Sequence, residues 1–165
     1  MSRTYTATGI NLKSSPLGEA DRILTILTRE YGLIRAVAPA SRSAKAKLGG
    51  RGELFVVNEL LLSKGRSLDR ITQAESLGAF PALSRDLAKL MASQYWAEII
   101  LYLMPSHDPN VALFDLLHQR LTDLVGSPAG IPVLVELIQG VLQLLHVAGL
   151  APRLDRCCLT GQPLV

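Results

Sequence analysis

Apolar and polar positions change period part-way along the chain. In the first half they fall in short runs with the composition of strands. Arg22–Thr28 is dense in β-branched residues and contains no glycine or proline. Leu33–Ala38 follows the turn signal Tyr31-Gly32, and Glu53–Leu62 is a long, mostly apolar run that ends at Lys64-Gly65. An opening strand over Thr4–Leu12 and a fifth over Leu68–Ala74 complete the set. Five short strands joined by turns predict a small barrel. Runs that are apolar on both faces predict strands covered by other parts of the molecule.

Beyond Gly78-Ala79-Phe80-Pro81 the period becomes helical. Ser84 is the expected N-cap of a first helix that runs to Met104 and stops at Pro105. Leu87, Met91, Tyr95, Glu98 and Tyr102 share one side of it. A second helix starts near Asn110. Its stripe of Leu113, Phe114, Leu117, Leu121 and Leu124 is amphipathic, and Gly126-Ser127-Pro128 ends it. Pro132 suits the first turn of a third helix, closed by Gly149 with Pro152 beyond. That helix carries only a narrow polar stripe of Glu136, Gln139, Gln143 and His146, which predicts the most buried of the three. The expected organisation is therefore all-β plus all-α. A small five-stranded barrel occupies residues 1–80 and a helical bundle residues 81–165.

Composition narrows the class. Hydrophobic residues are 48% and charged residues 19% of the 165, enough for a core and too apolar for wholesale disorder. Cys157 and Cys158 are adjacent, so a disulfide framework is excluded and free, buried cysteines are expected. The longest uncharged apolar run, Leu137–Pro152, has 16 residues, and a membrane span needs roughly 20. The opening residues carry no apolar signal core. A soluble protein of the reducing cytoplasm is expected. Charge is uneven: residues 1–80 hold 12 Lys+Arg against 7 Asp+Glu, and residues 81–165 hold 5 against 7. The asymmetry fits a polyanion-facing barrel and a protein-facing bundle, or ordinary fluctuation.

The chemistry-bearing segment is 35–51. Arg35, Arg42, Lys45, Lys47 and Arg51 lie there among small residues, with no acid. Such a loop can lie along a phosphate backbone or be a solvated surface loop. Aromatics are sparse in this half, so stacking is expected to be secondary to charge. Glu19 and Asp21 read as local balance for Arg22. His107, His118 and His146 have no ligand spacing and are expected on the solvent side or in caps. Gly49-Gly50-Arg51-Gly52 lacks the lysine and hydroxyl of a phosphate-binding loop, and there is no nucleophile elbow, so no enzyme is expected. Cys157 is followed three residues later by Thr160, which leaves a tetrahedral metal site short of ligands.

Gly18-Glu19-Ala20-Asp21-Arg22-Ile23-Leu24-Thr25-Ile26-Leu27-Thr28-Arg29-Glu30-Tyr31-Gly32-Leu33-Ile34-Arg35-Ala36-Val37-Ala38 closely resembles the N-terminal signature of the bacterial RecO family of DNA repair proteins. Arg42, Lys45 and Lys47 resemble that family's basic loop. Tyr95-Trp96-Ala97-Glu98, Leu113–Leu117 and Leu144–Cys157 resemble its helical segments in order. The resemblance implies that the five-stranded barrel of residues 1–80 is of the oligonucleotide/oligosaccharide-binding (OB) type and is followed by a helical domain. It also implies binding of single- and double-stranded DNA, strand annealing, and loading of recombinase onto strands covered by single-stranded-DNA-binding protein. RecR is the implied partner. The family's zinc site commonly uses four cysteines and only Cys157 matches, so no zinc and no other cofactor are expected; the helical domain is expected to lack its C-terminal part.

A competing reading is an adaptor that binds no DNA and whose helices hold a partner's tail. The resemblance implies a groove for the acidic, apolar-tipped tail of single-stranded-DNA-binding protein. Arg120, beside the apolar stripe, and Arg153 and Arg156, just past the third helix, are the candidate cations at its rim. Arg120 is equally placed to pair with Asp123 or Glu136.

Overall fold

The computed structural model describes residues 4–39 and 48–164. Five strands, β1 (Thr4–Leu17), β2 (Asp21–Thr28), β3 (Gly32–Ala38), β4 (Val57–Ser63) and β5 (Asp69–Gly78), form a closed barrel in the order β1-β2-β3-β5-β4. All pairings are antiparallel except β3 with β5. This is the small closed barrel that the strand pattern predicts, and the OB-type barrel that the resemblance implies.

β1 is the strand that permits closure. Thr4–Ile10 pairs with β4 and Gly9–Leu17 with β2, and the register shifts between Asn11 and Lys13. Such a bulge bends one strand enough to serve two neighbours. β1 therefore runs five residues beyond the expected Leu12. β4 starts at Val57 rather than Glu53, because Phe55 takes a left-handed backbone (φ 61) and cannot continue an extended run. Its N–H donates to the Asn11 carbonyl at 2.8 Å, and its ring is buried. The inward side chains Leu24, Ile26, Ile34, Ala36, Leu60, Leu62 and Ile71 fill the barrel, and Leu48 closes its end.

Three helices follow: α1 (Leu87–Leu103), α2 (Val111–Gly126) and α3 (Ile131–Val147). Asp86, not Ser84, caps α1. Its carboxylate accepts from the N–H groups of Ala88 and Lys89, while Ser84 sits in a preceding 3₁₀ turn and donates to the Pro81 carbonyl. A carboxylate also interacts favourably with the helix dipole. Asn110 caps α2 as expected, and the whole α2 stripe is buried. Lys89 is buried and donates to the carbonyls of Val125 and Ser127, so α1 satisfies the open end of α2.

The α1 side carrying Leu87, Met91, Tyr95 and Tyr102 faces solvent, and the buried side is Ala92, Ser93, Trp96, Ala97 and Ile100. One helical expectation, the burial of α3, fails: α3 is not the most buried helix. Only Val133, Gly140 and Leu144 are buried, whereas Ile131, Leu134, Val135, Ile138 and Leu142 are exposed. Bundle and barrel nevertheless share one core, in which Ile10, Leu12, Leu27, Leu33, Phe55 and Val57 meet Trp96, Ala97, Ile100, Leu113 and Phe114. Among the described residues no helix is long and apolar enough to cross a membrane.

Candidate nucleic-acid interface

Strand register sets out the outer face. Antiparallel partners project on the same side, so Lys13, Thr25 and Arg35 form one row across β1, β2 and β3. The next row runs Ser15, Ile23, Val37 and, through the parallel pairing, Arg70. Arg35 and Arg70 are exposed. Lys13 also borders Glu98 of α1 in a cleft of about 280 Å³.

The turn between β4 and β5 brings two further cations to this face. Arg35, Lys64, Arg66, Asp69 and His107 line a cleft of about 200 Å³. An adjoining cleft of about 400 Å³ is lined by Thr4, Tyr5, Tyr31, Lys64 and His107. Among the described residues Asp69 is the one acid lining either cleft, and it is buried. It accepts from the Tyr5 hydroxyl and from the Gly65 N–H, and Lys64 stands 3.6 Å away. Burial alone raises its carboxyl. The bonds from Tyr5 and Gly65 and the charges of Lys64 and His107 outweigh that and hold it below the ordinary carboxylate range. Burial, then the bond to Asp69 and its charge, push the Tyr5 hydroxyl far up, so it stays a donor. Among the described residues, Arg35, Arg66 and Arg70 have no carboxylate within 4.0 Å.

Tyr5 and Tyr31 meet edge to face, with ring centroids 4.8 Å apart and planes at 70°. The Lys64 ammonium lies 5.7 Å from the Tyr5 ring centroid. The wall behind them comes from the α1–α2 connection. His107 donates its N–H to Leu33, and Asp108 lies so close to Gly32 (φ +66) that a Cβ there would meet its carbonyl oxygen at 2.1 Å. The helical region thus helps to build the rim of the barrel site.

Of the cations expected from the sequence, Arg42, Lys45 and Lys47 lie outside the described residues. Arg51 is not beside Arg35. It lines a separate cleft with the opposed acids Glu59 and Glu75, and its carbonyl accepts from Asn11 and Asn58. Arg22 pairs with Glu53 at 3.5 Å. Arg120 bonds both Asp123 and Glu136, so its guanidinium is already engaged. Arg153 and Arg156 are exposed, with Arg156 3.7 Å from Asp155. His107, His118 and His146 are exposed, as expected. Sequence reasoning missed Lys64, Arg66, Arg70 and the tyrosine pair. Lys64-Gly65-Arg66 was visible as a basic turn, but nothing local placed it beside Arg35.

The cysteines are not buried: Cys157 is half-buried and Cys158 exposed. The Cys157 thiol is lowered by the Thr160 hydroxyl, then by the N–H groups of Thr160 and Leu159. Thr160 thus stands where a second sulfur ligand would be needed, and among the described residues no three His, Cys, Asp or Glu side chains gather as a metal site. These residues do not fit a structural zinc.

Residues 1–80 match the family model described as Recombination protein O N terminal, and residues 84–165 match Recombination protein O C terminal. The chain belongs to the RecO family. Curated relatives named DNA repair protein RecO include that of Acaryochloris marina (strain MBIC 11017), 59% identical over 165 residues, covering 99% of this chain and 56% of the relative. That of Cyanothece sp. (strain PCC 7425 / ATCC 29141) is 56% identical over 164 residues, again 99% and 56%. That of Gloeobacter violaceus (strain ATCC 29082 / PCC 7421) is 49% identical over 162 residues, 98% and 62%. The chain thus spans little more than half the length of the RecO relatives it matches.

Proposed function

We propose that this chain serves recombinational DNA repair as a DNA-binding mediator without catalytic turnover. Its barrel holds single- and double-stranded DNA, anneals complementary strands, and helps to load recombinase onto DNA covered by single-stranded-DNA-binding protein, with RecR as partner. The observation that carries the DNA-binding half is the cationic face of Arg35, Lys64, Arg66 and Arg70; among the described residues, the clefts that Arg35, Lys64 and Arg66 line contain only the buried, internally bonded Asp69 as an acid. Arg35, Arg66 and Arg70, which have no carboxylate within 4.0 Å among the described residues, are free to replace the counterions of a phosphate backbone, and Lys64, 3.6 Å from Asp69, adds its charge beside them. Arg42, Lys45 and Lys47 extend this charge along the chain; Arg51, beside two glutamates, contributes least.

The test is a fluorescence titration of a single-stranded oligonucleotide at several salt concentrations. Wild type should show a steep salt dependence. Arg35→Ala/Arg66→Ala/Arg70→Ala should weaken binding and reduce the slope of log K against log salt by about two units. A variant that binds like wild type at every salt would remove these residues from the interface.

A second reading, the adaptor that holds a partner's tail, draws on the apolar groove of about 550 Å³ between α2 and α3, lined by Ala112, Leu116, Leu142 and Val147. Under it, Arg153 and Arg156 would meet the tail's acids, and Arg120 would contribute only by releasing Asp123 and Glu136. Tail-peptide calorimetry separates the readings: the adaptor predicts peptide binding with no salt-dependent affinity for DNA.

A further inference from the structure

In the tyrosine corner beside the cationic cleft, Tyr5 packs against the barrel core and Tyr31 projects from it. Tyr31 is 39% exposed and is the one exposed aromatic side chain among the described residues of the barrel. Its turn is rigid. The Thr28 hydroxyl accepts from the Tyr31 N–H at 3.1 Å and donates to the Gly32 carbonyl at 2.7 Å, and Asp108 is seated on Gly32. Tyr5 is fixed by its bond to buried Asp69. Two aromatic rings in edge-to-face contact therefore line one cleft, on a backbone that is already ordered. The cleft they line shares Lys64 and His107 with the cleft that holds Arg35 and Arg66. An aromatic wall next to unpaired guanidinium groups suits a nucleotide: a flat ring with a phosphate attached.

Resting on the DNA-binding reading above, we propose that the Tyr5–Tyr31 cleft takes one unstacked base of single-stranded DNA while Arg35 and Arg66 hold the adjoining phosphates. The site thereby favours single strands over duplex. Bases in a duplex are paired and stacked and present no free face to a tyrosine. Phosphates are available in both forms, so the arginines act on both. Sequence preference at this position is weak, because every base has a stacking face. The aromatic contribution is independent of salt, and the arginine contribution is not.

The test compares a single-stranded oligonucleotide with the matching blunt duplex, each titrated at two salt concentrations against the whole chain. Tyr31→Ala should lower single-strand affinity about 5- to 150-fold, leave duplex affinity unchanged, and leave the salt slope of both unchanged. Tyr31→Trp should keep or raise single-strand affinity, and both variants should keep the wild-type fold, with only a small drop in melting temperature for Tyr31→Ala, which gives up the ring contact with Tyr5. Equal losses on the two DNA forms, or no loss on the single strand, would overturn the stacking site while leaving the cationic interface standing. A wild-type chain that binds neither form would overturn both.

Discussion

Inward positions on β2 and β3 of the barrel, Leu24, Ile26, Ile34 and Ala36, are at most 1% exposed. On α3 the apolar positions divide, with Val133 at 4% and Leu144 at 2% against Ile131 at 80% and Ile138 at 51%. Of the large apolar side chains left exposed among the described residues, only Leu17, Tyr31 and Leu77 belong to the barrel half. The difference follows from geometry. A closed sheet has one inside, so strand alternation fixes which side chains fill it, and outward positions such as Leu27 and Leu33 are buried where the helices cover them. A helix has a full circumference, and its burial depends on how many neighbours it meets. α3 packs against α1 and α2, and its remaining apolar arc faces outward. The apolar content of a helix states what it is able to bury, and its neighbours decide what it does bury.

Joining the two regions is the shared core around Trp96, and the largest expected effect lies there. A Cβ on Gly140 would stand 2.4–2.6 Å from the Trp96 ring. Gly140→Ala should therefore part α1 from α3 and cost about 1–3 kcal/mol. Because Trp96 and Ile100 pack in one cluster with Ile10 and Leu27, helical circular dichroism and tryptophan emission should report the same lowered urea midpoint. Separate transitions would show that barrel and bundle are independent after all.

Next in size is Asp69→Asn, which acts on the barrel alone. Asp69 accepts from Tyr5 and Gly65; an asparagine keeps one acceptor oxygen but loses the charge, which costs about 1–1.5 kcal/mol at neutral pH. Its depressed carboxyl gives the sign of the pH effect. The stabilisation is complete above the ordinary carboxylate pKa of about 3.9 and is lost as pH falls through the lower folded value. Wild type should lose this increment on acidification and the asparagine variant should not. Parallel acid-unfolding curves for the two would refute the assignment.

The smallest effect is expected at the surface contact between the regions. Arg29 reaches Asp115 with two bonds, at 2.8 and 3.2 Å, but both side chains are about half exposed. Arg29→Ala should shift stability by less than about 1 kcal/mol. A larger loss would mean that the ion pair, and not the buried cluster, joins barrel to bundle.

Legibility in the sequence follows the same division. The strand runs with their β-branched residues and the turn at Tyr31-Gly32 made the barrel readable, and Asn110 with its stripe made α2 readable. The true edges were not. β4 reads as starting at Glu53 because only a left-handed Phe55 interrupts an apolar run. Asp86 displaced Ser84 as a cap because either fits the local pattern. Segment 35–51 was legible as charge, but the clefts depend on contacts between distant residues. Arg35 meets Arg66 because β3 and β5 pair in parallel across the closing seam, and Tyr5 meets Tyr31 because β1 and β2 are neighbours. No local spacing encodes either meeting.

Trp96 is the chain's one tryptophan, has no solvent exposure, and donates its indole N–H to the Leu137 carbonyl at 3.1 Å. Its light emission is therefore a private channel from the α1–α3 seam. The barrel's cationic face contains no tryptophan, so an oligonucleotide bound there has no direct quenching partner. Any change in emission during a DNA titration would have to travel through the shared core, as a movement of α1 against α3. An unlabelled sample in a fluorimeter thus distinguishes a barrel that binds DNA passively from one that passes the event on to the helices.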